Sequence, residues 1–257
     1  MTLYDDKLSV EVVGTANVAR TVDFIAEHER STHIKYFVID DTRDELADVL
    51  RGADVVFMLT ALTDAATCST AHLIADCVQS ERVWLSVAIV QSASNEFSAE
   101  LRHVEQSFGV VINLAEQQLN QPVEKISYQI VHGIHSIYDE EFYPYLMPVD
   151  GTDLLELLTC GRKTFVGFGE ASGENPTIAA VNAAIDSPPV KNNLQRARSV
   201  FLNILGADSL LMLEANESTT PIYDAANPDG EFYWVVNRDD SLADKIFAMI
   251  IICVAES

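Results

Sequence analysis

Apolar residues along this chain fall into short blocks with two periodicities, and the two kinds alternate. Leu8 to Gly14, Ile34 to Asp40, Asp54 to Leu59, Val83 to Val90 and Val110 to Leu114 are compact runs rich in β-branched residues, which predicts five strands. Between them the spacing is helical. Ala16 to Arg30 places Val18, Val22, Ile25 and Ala26 on one face, and Thr42 to Arg51 turns Leu46 and Leu50 inward. Ala66 to Gln79 and Phe97 to Phe108 follow the same rule. The fourth run, VWLSVAIV, is nearly continuous in apolar character, as a strand covered on both faces should be. Strict alternation of strand and helix predicts an α/β fold, a doubly wound and largely parallel sheet, with ligands expected at the carboxyl ends of its strands. Those ends are Gly14 to Asn17, Asp40 to Thr42, the turn after the third strand, and Leu114 to Glu116.

A longer helical stretch, Val123 to Tyr138, carries Ile126, Ile130, Ile134 and Ile137 and reads as a central helix. Beyond Asp150 the order becomes irregular. Helices are predicted at Thr152 to Cys160, Pro176 to Asp186 and Thr220 to Ala226. Strands are predicted at Arg162 to Phe168, Ser199 to Leu205, Phe232 to Asn237 and Ile246 to Ala255. This gives three parts: a sheet domain over 1–121, a central helix and connecting loop over 122–150, and a smaller α+β domain over 151–257.

Composition narrows the function classes. With 16 Lys and Arg against 39 Asp and Glu the net charge is −23, which disfavours nucleic acid and an anionic membrane surface as direct partners. The N-terminus lacks a basic region followed by an apolar run. The longest apolar run, Ile246 to Ala255, is half the roughly 20 residues that a membrane span needs. Four cysteines, Cys68, Cys77, Cys160 and Cys253, lie far apart with no CxxC pair, so a reduced cytoplasmic protein without a structural metal is expected.

Candidate chemistry concentrates in the turn after the third strand, Thr63-Asp64-Ala65-Ala66-Thr67-Cys68-Ser69, where an α/β protein commonly seats a phosphate. The turn has no glycine, and Asp64 is suited to capping the helix that follows. Two other readings stand beside this. Cys68 near a helix start, with His72 one turn on, has the outline of a thiol nucleophile and base. His132 and His135, with His103 and His72 elsewhere, suggest metal ligands, but no third ligand is implied and they read as ordinary histidines. Phe142-Tyr143-Pro144-Tyr145 reads as packing at a joint, and Asp239-Asp240 and Asp40-Asp41 as solvated loop charges.

A family resemblance emerges from the second half. Phe165-Val-Gly-Phe-Gly-Glu-Ala-Ser-Gly-Glu-Asn175, the alanine-rich helix, Ala184-Ile-Asp-Ser-Pro-Pro189 and Ala197-Arg-Ser-Val-Phe-Leu-Asn-Ile-Leu-Gly206 closely resemble the C-terminal domain of FtsZ, the bacterial tubulin homologue. Val131-His-Gly-Ile134 resembles part of the family's central helix, and Gly52-Ala-Asp-Val-Val-Phe57 the strand before its GGGTGTG loop. The resemblance implies that Thr63 to Ser69 stand where those glycines bind GTP. It implies that Gly14 and Asn17 stand in a reduced first loop, and that the residue reading guanine falls near Lys125. It also implies that Pro148-Val-Asp-Gly-Thr-Asp153 stands for the NxDxxD loop, in which Asp150 and Asp153 would act on the next subunit's nucleotide. Those two aspartates also suit a plain helix cap and first-turn charge.

With the glycines replaced, the expectation is that GTP binding and GTPase activity are lost, leaving no enzyme and no cofactor. The chain is then a cytoplasmic structural protein that partners itself in nucleotide-independent, head-to-tail filaments. The alternatives are a regulator that caps or joins a true FtsZ filament, and an active GTPase.

Overall fold

A computed structural model describes residues 8–39, 43–81, 83–92, 95–117, 121–139, 142–147, 150–159, 163–207 and 210–254. The chain separates into two compact units, and the division falls within one helix.

In the N-terminal unit the elements run β1 (Val10–Thr15), α1 (Ala19–His28), β2 (Ile34–Ile39), α2 (Arg43–Leu50), β3 (Val55–Ala61), α3 (Ala65–Ser80), β4 (Leu85–Gln91), α4 (Ser98–Ser107) and β5 (Val110–Asn113). All strand pairs are parallel and their order is β2-β1-β3-β4-β5, so the predicted α/β sheet is present and its strand order reverses between β1 and β3. Alternation along β1 explains how helices cover both faces. Val13 joins Val56, Met58 and Ala88 under Leu46, Ile74 and Val104 of α2, α3 and α4. Gly14 points the other way, and a Cβ there would lie 2.5 Å from Val22 Cγ2 of α1. Glycine at this strand end therefore serves close helix packing.

The next elements are α5 (Leu114–Gln117) and α6 (Val123–His135), the helix within which the units divide. The C-terminal unit then contains β6 (Tyr145–Met147), α7 (Gly151–Thr159), β7 (Lys163–Ala171), α8 (Pro176–Asp186), α9 (Pro188–Lys191), β8 (Ala197–Gly206), α10 (Met212–Ser218), α11 (Thr220–Ala225), β9 (Glu231–Arg238) and β10 (Ile246–Val254). Its mixed sheet has the order β6-β9-β8-β10-β7, with only β8 and β9 parallel. On β10, Ala248, Ile250 and Ile252 join the core under α8, while Met249 and Cys253 face the opposite side. Gly169 of β7 has no room for a side chain: a Cβ would sit 1.9 Å from the Ala180 carbonyl oxygen of α8. The glycine-spaced run FVGFGEA thus reflects a helix lying on the strand backbone. Gln117 serves the outer edge of β7, donating to the Thr164 carbonyl (3.2 Å) and accepting from the Val166 amide (2.9 Å).

The strands and longer helices fall where periodicity places them. Four elements were not anticipated: the short helices α5 and α9, the three-residue β6 and the helix α10. Each unit holds one of the chain's two tryptophans, Trp84 at the start of β4 and Trp234 in β9, both half-buried.

Candidate functional site

The carboxyl ends of β1 and β3 form the mouth of the parallel sheet at its reversal point, and a ladder of side chains closes across it. Thr15 donates to Asn17 Oδ1 (2.7 Å), and its hydroxyl oxygen lies 3.1 Å from that of Thr60. Asn17 donates to the Ala61 carbonyl (2.7 Å) and to Thr63 Oγ1 (3.2 Å), tying the two strand ends together. Thr63 in turn donates to Asp64 Oδ2 (3.0 Å).

Asp64 is the N-cap of α3. Its extended backbone lets Oδ1 accept from the Thr67 amide (2.9 Å), while Thr67 Oγ1 accepts from the Asp64 amide (3.3 Å), a reciprocal capping box. The Thr67 amide first, and then the Thr63 hydroxyl, hold the Asp64 carboxyl below the usual aspartate value. The carboxylate thus uses first-turn donors that would serve a phosphate. Thr63, Asp64, Ala65 and Ala66 are all exposed, so among the described residues nothing packs over the turn. A phosphate seated on these amides would have to displace only a rotatable side chain.

Cys68 lies behind this turn, buried, and its thiol is pushed up by burial and then by the nearby Glu100 and Asp64 carboxylates. That is the wrong direction for a nucleophile. His72 packs against His103 with ring centroids 4.4 Å apart, and His103 Nε2 faces Asp76 Oδ1 at 3.0 Å. Ser69 is exposed on the helix, and Lys125 is exposed in the first turn of α6. Asp40 to Thr42 lie outside the described residues.

In the C-terminal unit Asp150 precedes α7 and accepts from the Thr152 amide at 2.8 Å, while its carbonyl accepts from Leu154 (2.9 Å). The Thr152 amide and hydroxyl hold its carboxyl below the ordinary value. Asp153 is exposed in the first helical turn, and Pro148 and Val149 lie outside the described residues. The geometry of Asp150 is that of a helix cap.

The polar residues that periodicity did not bring together lie around the last turn of α6. His132 and His135 are buried; Nε2 of His132 lies 3.6 Å from Asp239 and that of His135 3.1 Å from Asp139. The Tyr143 hydroxyl is 3.3 Å from His132 Nδ1, and Tyr143 is fully buried within this unit. Asp239 is therefore not a solvated loop charge: it is 1% exposed and also accepts from Ser241. Its neighbour Asp240 is exposed and pairs with Arg238. Asn203 donates to the Gly133 carbonyl and to Ser136 Oγ, each at 2.8 Å, and Asn237 donates to the Ser136 carbonyl. Among the described residues no three His, Cys, Asp or Glu side chains are gathered as a metal ion would require.

Comparison with known proteins decides the lineage. Residues 162–255 match the model of the FtsZ family, C-terminal domain. Over 234 residues the chain is 26% identical to the cell division protein FtsZ 1 of Archaeoglobus fulgidus, covering 84% of this chain and 63% of the relative. Over 240 residues it is 25% identical to the cell division protein FtsZ of Haloferax mediterranei, covering 84% and 62%. An FtsZ dimer from M. jannaschii, 17% identical, superposes with a TM-score of 0.80 over 97% of this chain and 89% of that one. Residues 162–255 thus carry the C-terminal domain of the FtsZ family, and the chain as a whole is similar to FtsZ proteins in sequence and fold. It spans less than two thirds of the length of the two FtsZ relatives.

This placement corrects two expectations. The absence of glycine from Thr63 to Ser69 suggested a protein without GTP and without enzymatic activity. Its relatives are FtsZ proteins, whose family the sequence resemblance tied to GTP, so neither loss stands. The physical reason lies in the turn itself. Replacing glycine with Ala, Thr or Ser removes no backbone amide, and here the added side chains leave the mouth exposed. The relatives are cell division proteins of the FtsZ type. Among the described residues no helix is long and apolar enough to cross a membrane.

Proposed function

We propose that this chain is a cytoplasmic, filament-forming protein of the FtsZ type whose subunits stack head to tail on copies of themselves. The observation that supports this most is the pair of acidic helix starts left open to solvent. In the N-terminal unit Asp64 and its neighbours form an exposed mouth, and in the C-terminal unit Asp150 and Asp153 project from an exposed first turn. Both are ordered by their own caps, so either can meet a second molecule without first being folded by it. The FtsZ relatives and the M. jannaschii FtsZ dimer supply the precedent for self-association.

The test is sedimentation and negative-stain electron microscopy of the purified protein across concentration and salt, with and without GTP, with phosphate release measured in parallel. Filaments with a subunit repeat of about 4 nm, the span of a globular domain of this size, are expected. Asp153→Ala should weaken the pelleted fraction without lowering the melting temperature. Monomers at every concentration and salt would remove the proposal.

A further inference from the structure

A cavity of about 360 Å³ opens in the C-terminal unit where α8 begins, a size suited to a small molecule. Pro176, Leu210 and Ile246 give it an apolar wall, and Thr177, Glu214 and Asp244 give it a polar one. The start of α8 has no side-chain cap. Asn175, at the N-cap, holds a left-handed backbone (φ 49°), and its side chain makes no bond to the first turn. Pro176 has no N–H, and the Ala179 amide makes the first helical bond, to the Asn175 carbonyl (3.1 Å). The Thr177 and Ile178 amides are therefore left without partners within the helix.

An independent observation lies in the same wall. Thr177 is 1% exposed, and its hydroxyl has no hydrogen-bond partner among the described residues. A buried hydroxyl of this kind costs stability until another group satisfies it. Glu214 is half-buried in the first turn of α10, and Asp244 is exposed just before β10. Neither is in an ion pair among the described residues. Open amides and a free hydroxyl call for an anionic oxygen, whereas the two carboxylates call for a cation. A lone phosphate would meet two like charges, and a lone metal ion the positive end of a helix. A small molecule that carries both charges satisfies both sets.

We propose that this cavity binds a free α-amino acid with an apolar side chain. Its carboxylate takes the Thr177 and Ile178 amides and the Thr177 hydroxyl, and its ammonium takes Glu214 and Asp244. Its side chain lies against Leu210 and Ile246, both of which are buried. The proposal does not depend on head-to-tail assembly, which sedimentation reads separately.

The probe is tritiated L-leucine in equilibrium dialysis against the full chain. Saturable binding at a single site is expected. L-leucinamide, which lacks the carboxylate, and isocaproate, which lacks the ammonium, should each compete about tenfold less well, as loss of a charge-assisted contact implies. Thr177→Val keeps the shape of the side chain and removes its hydroxyl. It should weaken leucine binding about tenfold without lowering the melting temperature of the ligand-free chain, where that hydroxyl has no partner. Asp244→Asn, at an exposed position away from the core, should weaken binding about threefold. Absence of saturable binding would overturn the proposal. Leucinamide competing as well as leucine would also overturn it, by reducing the effect to attraction of cations to an acidic rim. Undiminished leucine binding in either variant would place the amino acid elsewhere and remove this assignment.

Discussion

Two hydrogen-bond networks of similar size lie in this protein under opposite conditions. Around the start of α3, Thr15, Asn17, Thr63, Asp64 and Thr67 are joined in a chain that ends in solvent. Around the end of α6, His132, His135, Ser136, Tyr143, Asn203 and Asp239 are joined with almost no surface exposed. At its outer end, from Asn17 through Thr63 and Asp64, the first can exchange partners for water, so that end is cheap to rearrange and suited to receiving another molecule. The second cannot: a lost partner there leaves a polar atom in a dry core. The difference teaches where function and where architecture reside in the chain's polar residues, which their composition does not distinguish.

That contrast can be broken by substitution, most severely in the core. Asn203→Ala leaves the Gly133 carbonyl without its side-chain donor and removes a bond to Ser136; a loss of about 2–3 kcal/mol in urea unfolding is expected. Pairing it with Ser136→Ala should cost less than the sum, because the two share a bond. An intermediate case lies in the N-terminal unit, where the buried Glu11 carboxylate faces the exposed Lys35 ammonium at 3.2 Å. Lys35→Met should cost about 1 kcal/mol, well short of a fully buried pair, since one partner already sits in water.

At the exposed network the effect shrinks. Asp64→Ala should lower the melting midpoint by roughly 2–4 °C, as loss of a helix cap does in a chain of this size. Raising salt should narrow that difference and leave the Asn203→Ala loss unchanged, because ions screen a cap at the surface and do not reach the core.

The smallest effect is in acid. Asp64 and Asp150 are both held below the ordinary value, so each contributes stability that is complete above the unfolded aspartate pKa of about 3.9. That contribution disappears as pH falls through the lower folded value. Melting curves of the parent chain and Asp64→Asn should therefore converge below about pH 4 and separate above it. Curves that stay parallel would show that Asp64 is not acting as a charged cap.

Much of the architecture was legible because burial writes itself into periodicity. The β10 run IFAMIIICV is apolar throughout and the β4 run VWLSVAIV is so except for Ser86, since helices or packed chain cover both faces. The helix α10 was missed because Leu210-Leu211-Met212-Leu213 is an unbroken apolar run without helical spacing, and three of those residues stay exposed. The strand β6 was missed because three residues beside Pro144 carry no period at all.

At the candidate site the Asp64 cap was legible from its place before a helical stretch. The bonds of Asn17 to Ala61 and Thr63 were not, since they join residues 44 and 46 positions apart. The same applies to Asp239, which pairs with a histidine of a distant helix and so looked like a loop charge. The turn Thr63 to Ser69 taught the reverse lesson. A missing glycine removes no amide from the turn, and here one of those amides, that of Thr67, is held by the Asp64 carboxylate in an exposed cap.

The placement of the two tryptophans gives each unit its own optical reporter. Trp84 lies just before β4 of the N-terminal unit and Trp234 within β9 of the C-terminal one. With Trp84→Phe, intrinsic emission follows the C-terminal unit alone, and with Trp234→Phe the N-terminal unit alone. Emission from one half can therefore be followed while the other is perturbed, without attaching an extrinsic dye.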